Sequence, residues 1–246
     1  MTSSFLSAEI TTEPFQLFSA SHVSCVLLVF AAAALLYRFR RRFQPPHTDA
    51  FCRLALASLL VLTEVGFQLW LVLTHSWTQS EALPLQLCSV MLIFSVFMLV
   101  YNSYRLYEIT FFAGLIGAGQ ALITPELFYP FPHFRFFHFF LAHACIVLAC
   151  LYMTWVKECR PTVASIGKSM VMLNSLLLIA LIVNRFTGGN YLFVTHKPFQ
   201  PTLMDYLGPY PWYILSLEGV ALGLFCLLYL PFWIQKRRAA RQSLGA

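Results

Sequence analysis

The sequence predicts an all-α membrane fold: one domain over 1–246, made of seven transmembrane helices, with the N-terminus outside and the C-terminus cytoplasmic. Three observations predict it. Hydrophobic residues make up 59% of the 246 residues and charged residues only 11%, too few to cover the surface of a soluble domain. Seven apolar stretches of 17–23 residues recur along the chain, each long enough for a helix to cross a hydrocarbon core of about 30 Å. The Lys and Arg residues sit in short clusters between those stretches, so the net charge of +6 reads as a topology signal and not as a nucleic-acid surface.

The first span is expected at 18–37 and is closed by Arg38, Arg40, Arg41 and Arg42. No Lys or Arg precedes Arg38, so the basic n-region of a cleavable signal peptide is missing and none is expected. A Gln-Pro-Pro linker at 44–46 leads to the second span, 53–73. The remaining spans are 83–101, 108–124, 134–156, 166–184 and 212–234. Thirteen Lys and Arg residues fall on one side of this arrangement and three (Arg135, Arg185, Lys197) on the other, which sets the orientation by the positive-inside rule. Of seven histidines only His47 falls on the cytoplasmic side. Two outer loops, 125–133 with three prolines and three aromatics and about 186–211, are long enough to be ordered caps at headgroup level.

Small residues permit close approach of membrane helices. Gly114, Gly117 and Gly119 on the fourth span, with Gly219 and Gly223 on the seventh, therefore place both of these helices inside the bundle. Polar residues within spans say more about function. Glu64 and Gln68 share a face of the second helix. Gln120, His138, His143, Asn184 and Glu218 fall in the outer half of their helices, and Glu64 near the middle of its own. A carboxylate facing lipid costs at least ~2.5 kcal/mol, so these groups are expected to converge on a polar pocket open to the outer leaflet.

The sharpest chemical candidate is Cys88, just inside the third span in Leu83-Pro-Leu-Gln-Leu-Cys88, with His143 as its partner. A thiol becomes a useful nucleophile when a neighbouring base takes its proton, and histidine is the usual one. The plain alternative is a packing thiol beside a hydrogen-bonded histidine. Seven cysteines, an odd number mostly inside apolar runs, show neither zinc spacing nor a disulfide framework. His138 and His143 are five residues apart, about 140° around a helix, which argues against a shared metal. No metal or soluble cofactor is implied, and no HExxH, phosphate-cradling glycine loop or serine elbow is present. At the outer boundary Arg135 and His133 are suited to a lipid phosphate.

Three passages carry a resemblance: Leu-Pro-Leu-X-Leu-Cys at 83–88, Pro-His-Phe-Arg-Phe-Phe-X-Phe-Phe-Leu-X-His at 132–143, and Asp-Tyr-Leu-Gly-Pro-X-Pro-Trp-Tyr at 205–213. With them the chain resembles, over most of its length, the YwaF-like bacterial integral membrane family. That family is similar, more remotely, to eukaryotic multispan phospholipid acyltransferases and to the androgen-induced membrane hydrolases of fatty-acid esters of hydroxy fatty acids. The resemblance implies a catalytic cysteine and histidine, matched here by Cys88 and His143. Where relatives are expected to carry histidine ahead of Leu-Cys, this chain has Gln86, which cannot take a proton.

The expected function is thus a lipid acyltransferase or lipid-ester hydrolase of the bacterial cytoplasmic membrane, acting on membrane lipids from the outer leaflet. Cys88 attacks, His143 is the base, Gln86 or Asn184 stabilises the oxyanion and Glu218 orients the histidine. The competing expectation is a carrier or sensor of a small solute, using Glu64 and Glu218 for proton or cation coupling. Nothing in the sequence sets an oligomeric state.

Overall fold

The computed structural model describes residues 5–8, 15–198 and 203–244, and among them every regular element is helical. Seven α-helices follow one another: α1 (Ala20–Phe39), α2 (Pro46–Leu73), α3 (Leu87–Val100), α4 (Tyr104–Ile123), α5 (Phe134–Trp155), α6 (Val163–Thr187) and α7 (Trp212–Leu244). Six of them are long and apolar enough to cross a membrane, and the exception is α3. Its 14 residues rise about 21 Å, short of the roughly 30 Å of a hydrocarbon core.

The third span is therefore shorter than expected at its N-terminal side. Residues 83–86 are held in a turn by bonds from the segment after α6, because Leu83 N donates to Tyr191 Oη at 3.0 Å and Leu192 N donates to Gln86 Oε1 at 3.1 Å. Pro84 accordingly lies outside the helix, and Cys88 becomes its second residue instead of lying a turn and a half deep. Gly189 makes the close approach possible, since a Cβ there would lie 2.6 Å from the Ser80 carbonyl oxygen.

Helices α2, α3, α4 and α5 pack on one another as the core of the bundle, α1 lies against α5, and α6 and α7 flank α4. Burial grades accordingly: 67% of the apolar window of α5 is buried and 50% of α4, but 11% of α7 and 6% of α1. Helix four is central as its glycines predict, with Gly114 facing Ile146 and Cys150 of α5 and Gly117 facing Leu87 of α3. Helix seven is peripheral instead. Nothing lies within 4 Å of a Cβ built at Gly219 or Gly223, so these glycines mark open surface. Large apolar side chains such as Leu28, Phe30, Leu62, Val171, Leu178 and Leu227 are more than half exposed on the outer helices, a surface suited to acyl chains and not to water. The protein is a multi-pass membrane protein.

The two ends of the bundle differ in chemistry. One end carries the starts of α2, α4 and α6, the ends of α1, α3, α5 and α7, and thirteen of the sixteen Lys and Arg residues. The other carries six of the seven histidines. They are called here the arginine end and the histidine end.

Candidate functional site

At the histidine end the first turn of α5 is built around three neighbouring polar residues. His133 caps the helix: its Nδ1 accepts from Arg135 N at 3.0 Å, so its Nε2 carries the proton it donates to the Ser7 carbonyl at 2.9 Å. Both ring nitrogens are used, which leaves His133 nothing for a lipid phosphate. Arg135 and His138, three apart, share a face of α5. Arg135 Nη1 donates to His138 Nδ1 at 2.8 Å, and the guanidinium lies 4.1 Å from the centroid of Phe67 and 5.7 Å from that of Trp70, both on α2. The His138 ring stacks on Phe67 at 4.9 Å, and its Nε2 is buried without a partner.

On α2 one helical turn brings Glu64 and Gln68 together, with Gln68 Nε2 donating to Glu64 Oε1 at 3.1 Å and to the Ala82 carbonyl at 2.9 Å. Gln68 Oε1 accepts from Trp77 Nε1 at 3.1 Å, so its amide is fully used as a clasp between α2 and the loop that follows. Glu64 lies within electrostatic range of Arg135. The two form no ion pair, and Arg135 has no carboxylate partner among the described residues. Glu64, Gln68, Arg135 and His138 thus form one cluster between α2 and α5.

His143 lies further along α5. Its Nδ1 is 2.7 Å from the Phe139 carbonyl, an acceptor only, so Nδ1 must carry the proton and Nε2 the lone pair. Nε2 makes no hydrogen bond among the described residues and is the free basic atom of the site. Cys88 lies in the first turn of α3, which packs along α5. Its Sγ makes no hydrogen bond among the described residues, and the side chain is half-buried against the main core. Gln86, the N-cap residue of α3, provides no side-chain cap, so the first-turn N–H groups beside the thiol are left open.

The other expected site residues are elsewhere. Asn184 and Tyr191 exchange two hydrogen bonds, Asn184 Nδ2 to Tyr191 O at 3.0 Å and Tyr191 N to Asn184 Oδ1 at 2.8 Å, so the Asn184 amide is committed to the loop after α6. Gln120 donates to Thr124 Oγ1 at the end of its own helix. Glu218 accepts from Asn174 Nδ2 at 3.0 Å across the α6–α7 contact, and the Nδ1 it was expected to orient belongs to Phe139. The single pocket expected from helix depth divides into an α2–α5 cluster, a loop clasp and an outer α6–α7 pair. Depth fixes height along a helix and leaves the direction of a side chain open.

Residues 17–229 of the chain match the family described as the TMEM164 family. The chain belongs to the TMEM164 family. An uncharacterized protein of Treponema pallidum (strain Nichols) is similar to it, 26% identical over 235 residues that cover 92% of this chain and 94% of the relative. No solved structure matches it.

Two features of this TMEM164-family chain escape sequence reasoning. The first is a strap: the carbonyls of Phe5, Leu6, Ser7 and Ala8 accept in turn from Phe134 N, Trp70 Nε1, His133 Nε2 and Tyr129 Oη, at 2.9–3.0 Å. Four short polar and apolar residues ahead of the first span carry no signal of this, because it is their backbone that binds. The second is at the arginine end, where two carboxylates are buried. Asp49 takes Arg53, Lys157 and the Tyr152 hydroxyl, and Glu108 takes Lys168 and Ser165 Oγ. The four-residue spacing of Asp49 and Arg53 was a legible signal for the first. Among the described residues no three His, Cys, Asp or Glu side chains converge as metal ligands.

Proposed function

We propose that the protein is a lipid acyltransferase or lipid-ester hydrolase that works at the histidine end of the bundle, with Cys88 as nucleophile and His143 as base. The observation that carries the reading is the tautomer of His143: Nδ1–H is given to Phe139 O, so Nε2 is held ready to accept a proton. The resemblance of 83–88 and 132–143 to YwaF-like proteins, and more remotely to membrane acyltransferases and hydrolases, supports the same pair.

In this reading the Cys88 thiol gives its proton to His143 Nε2 as sulfur attacks the ester carbonyl of a membrane lipid. The carbonyl oxygen becomes an oxyanion, and Gln86 Nε2 with the uncapped N–H groups of the α3 first turn are the donors available to it. The C–O bond then breaks, the leaving alcohol takes the proton from His143, and the acyl group stays on sulfur as a thioester. A lysolipid hydroxyl or water, deprotonated by His143, attacks the thioester and returns the thiol. Arg135, most of whose N–H donors make no bond among the described residues, would hold the lipid phosphate, with His138 and Phe67 orienting it. In this reading the histidine end faces the outer leaflet, the orientation that the distribution of cations favours, and the bacterial cytoplasmic membrane follows from the resemblance to YwaF-like proteins.

The test is turnover of lipids by purified protein in lipid nanodiscs, with wild type and Cys88→Ala compared by mass spectrometry, and trapping of an acylated Cys88 peptide. Loss of turnover in the variant with an acyl adduct on wild type is the expected result. A Cys88→Ala protein with wild-type turnover ends the mechanism. A solute carrier is the weaker reading, since Glu64 bonds to Gln68 on α2 while Glu218 bonds to Asn174 across the α6–α7 contact.

A further inference from the structure

The arginine end carries a feature that the thiol chemistry does not use. The turn from α1 to α2 borders an open hollow of about 430 Å³ lined by Tyr37, Arg38, Phe39, Arg40, Arg41 and Arg42. We propose that this cup binds the phosphate of an anionic phospholipid, as a site separate from the one at the histidine end.

Four guanidinium groups within five residues repel one another. Here the chain leaves α1 for a single 3-10 turn, Arg40–Phe43, and Arg38, Arg40, Arg41 and Arg42 all line one hollow. Three are oriented by aromatic faces: Arg40 lies 4.2 Å from the Tyr37 centroid, while Arg42 and Arg38 lie 5.0 and 5.6 Å from that of Phe39. Arg40 Nη1 also donates to the Tyr37 carbonyl at 2.8 Å. None of Arg38, Arg40, Arg41 and Arg42 has a carboxylate partner among the described residues. The acids nearby are engaged, Asp49 by Arg53 and Lys157 and Glu158 by Gln44. Among the described residues, then, nothing supplies a counter-charge to these four arginines.

Its position identifies what supplies that charge. Helix α1 is membrane-spanning and ends at Phe39, so the turn lies at the edge of the bilayer, where lipid phosphates are. A phosphodiester offers two acceptor oxygens that match the forked geometry of a guanidinium. A second basic run at the same end, Lys236, Arg237 and Arg238, is a built-in control. It lies on the exposed last part of α7.

The experiment is native mass spectrometry of the purified full-length protein in detergent, with phosphatidylglycerol or phosphatidylcholine added. Wild type is expected to retain phosphatidylglycerol over phosphatidylcholine. R40Q/R41Q/R42Q is expected to weaken that retention by at least about tenfold, and K236Q/R237Q/R238Q by less than about twofold. If the first triple variant is not monodisperse, R41Q alone carries the test with an expected loss of about fivefold. Equal losses in both triple variants would mean diffuse attraction and overturn the site, as would equal retention of the two lipids. Displacement of the lipid by inorganic phosphate at matched concentration would assign the cup to a free ion and overturn its lipid role.

Discussion

The two ends of this bundle differ in how their buried charges are met. At the arginine end the buried carboxylates of Asp49 and Glu108 are each met by a cation and a hydroxyl, and the network spans α2 to the end of α5 and α4 to α6. At the histidine end, among the described residues, Arg135 has no carboxylate partner, His138 Nε2 makes no hydrogen bond, and His143 Nε2 accepts none. A closed network stabilises a fold and offers nothing to a ligand. An open one costs stability and leaves donors and acceptors available.

That contrast can be broken by substitution. The largest effect is expected from His143→Gln, whose side-chain amide can still donate to Phe139 O but cannot act as a base. Lipid turnover should fall by about 10²–10⁴-fold with little change in thermal unfolding. Asp49→Asn should do the reverse. It strands Arg53 and Lys157 near a protein interior and should lower stability by about 3 kcal/mol, read as detergent-resistant unfolding, while turnover per folded molecule stays unchanged. Arg135→Gln, which removes the proposed phosphate contact, should raise KM about tenfold with a smaller effect on kcat. The same change at Arg53 should move unfolding and leave KM alone.

The smallest effect concerns the strap. Burial first, and then the neighbouring Arg135 charge, hold the His133 imidazole below the usual histidine range. The neutral form is therefore favoured in the folded state. The capping bond from Arg135 N needs that neutral form, so its contribution is complete above the ordinary histidine pKa. It is lost as pH falls through the depressed one. The protection of the Phe134 and Arg135 amides against hydrogen exchange, relative to the intrinsic rate at each pH, should fall on acidification in wild type, and should lose that pH dependence in His133→Asn.

Much of the scaffold was legible in the sequence. Helix starts at 134 and 212 coincide with those of α5 and α7, and the position of α4 followed from Gly114 and Gly117, which meet neighbours, whereas Gly119 has none within 4 Å. Helix seven misled because a glycine looks the same whether it faces a helix or lipid. The site was legible only in part. Glu64 with Gln68 follows from spacing, but Arg135 and His138 joining them depends on how α5 lies on α2. Asn184 and Glu218 were expected at the same site because depth was known and direction was not.

By itself the sequence determined the solvent this protein folds in, the number of its apolar helices and the gathering of its cations at one end. Those properties are sums over local composition, and no neighbour is needed to fix them. Only the tertiary structure decided that α3 starts at Leu87, that four backbone carbonyls of the N-terminal segment clasp the histidine end, and which polar groups find partners. Hydrogen bonds reach about 3 Å, whereas hydropathy is averaged over a span of some twenty residues. A change of a few ångströms or a rotation about one helix axis alters every partner and leaves the hydropathy untouched.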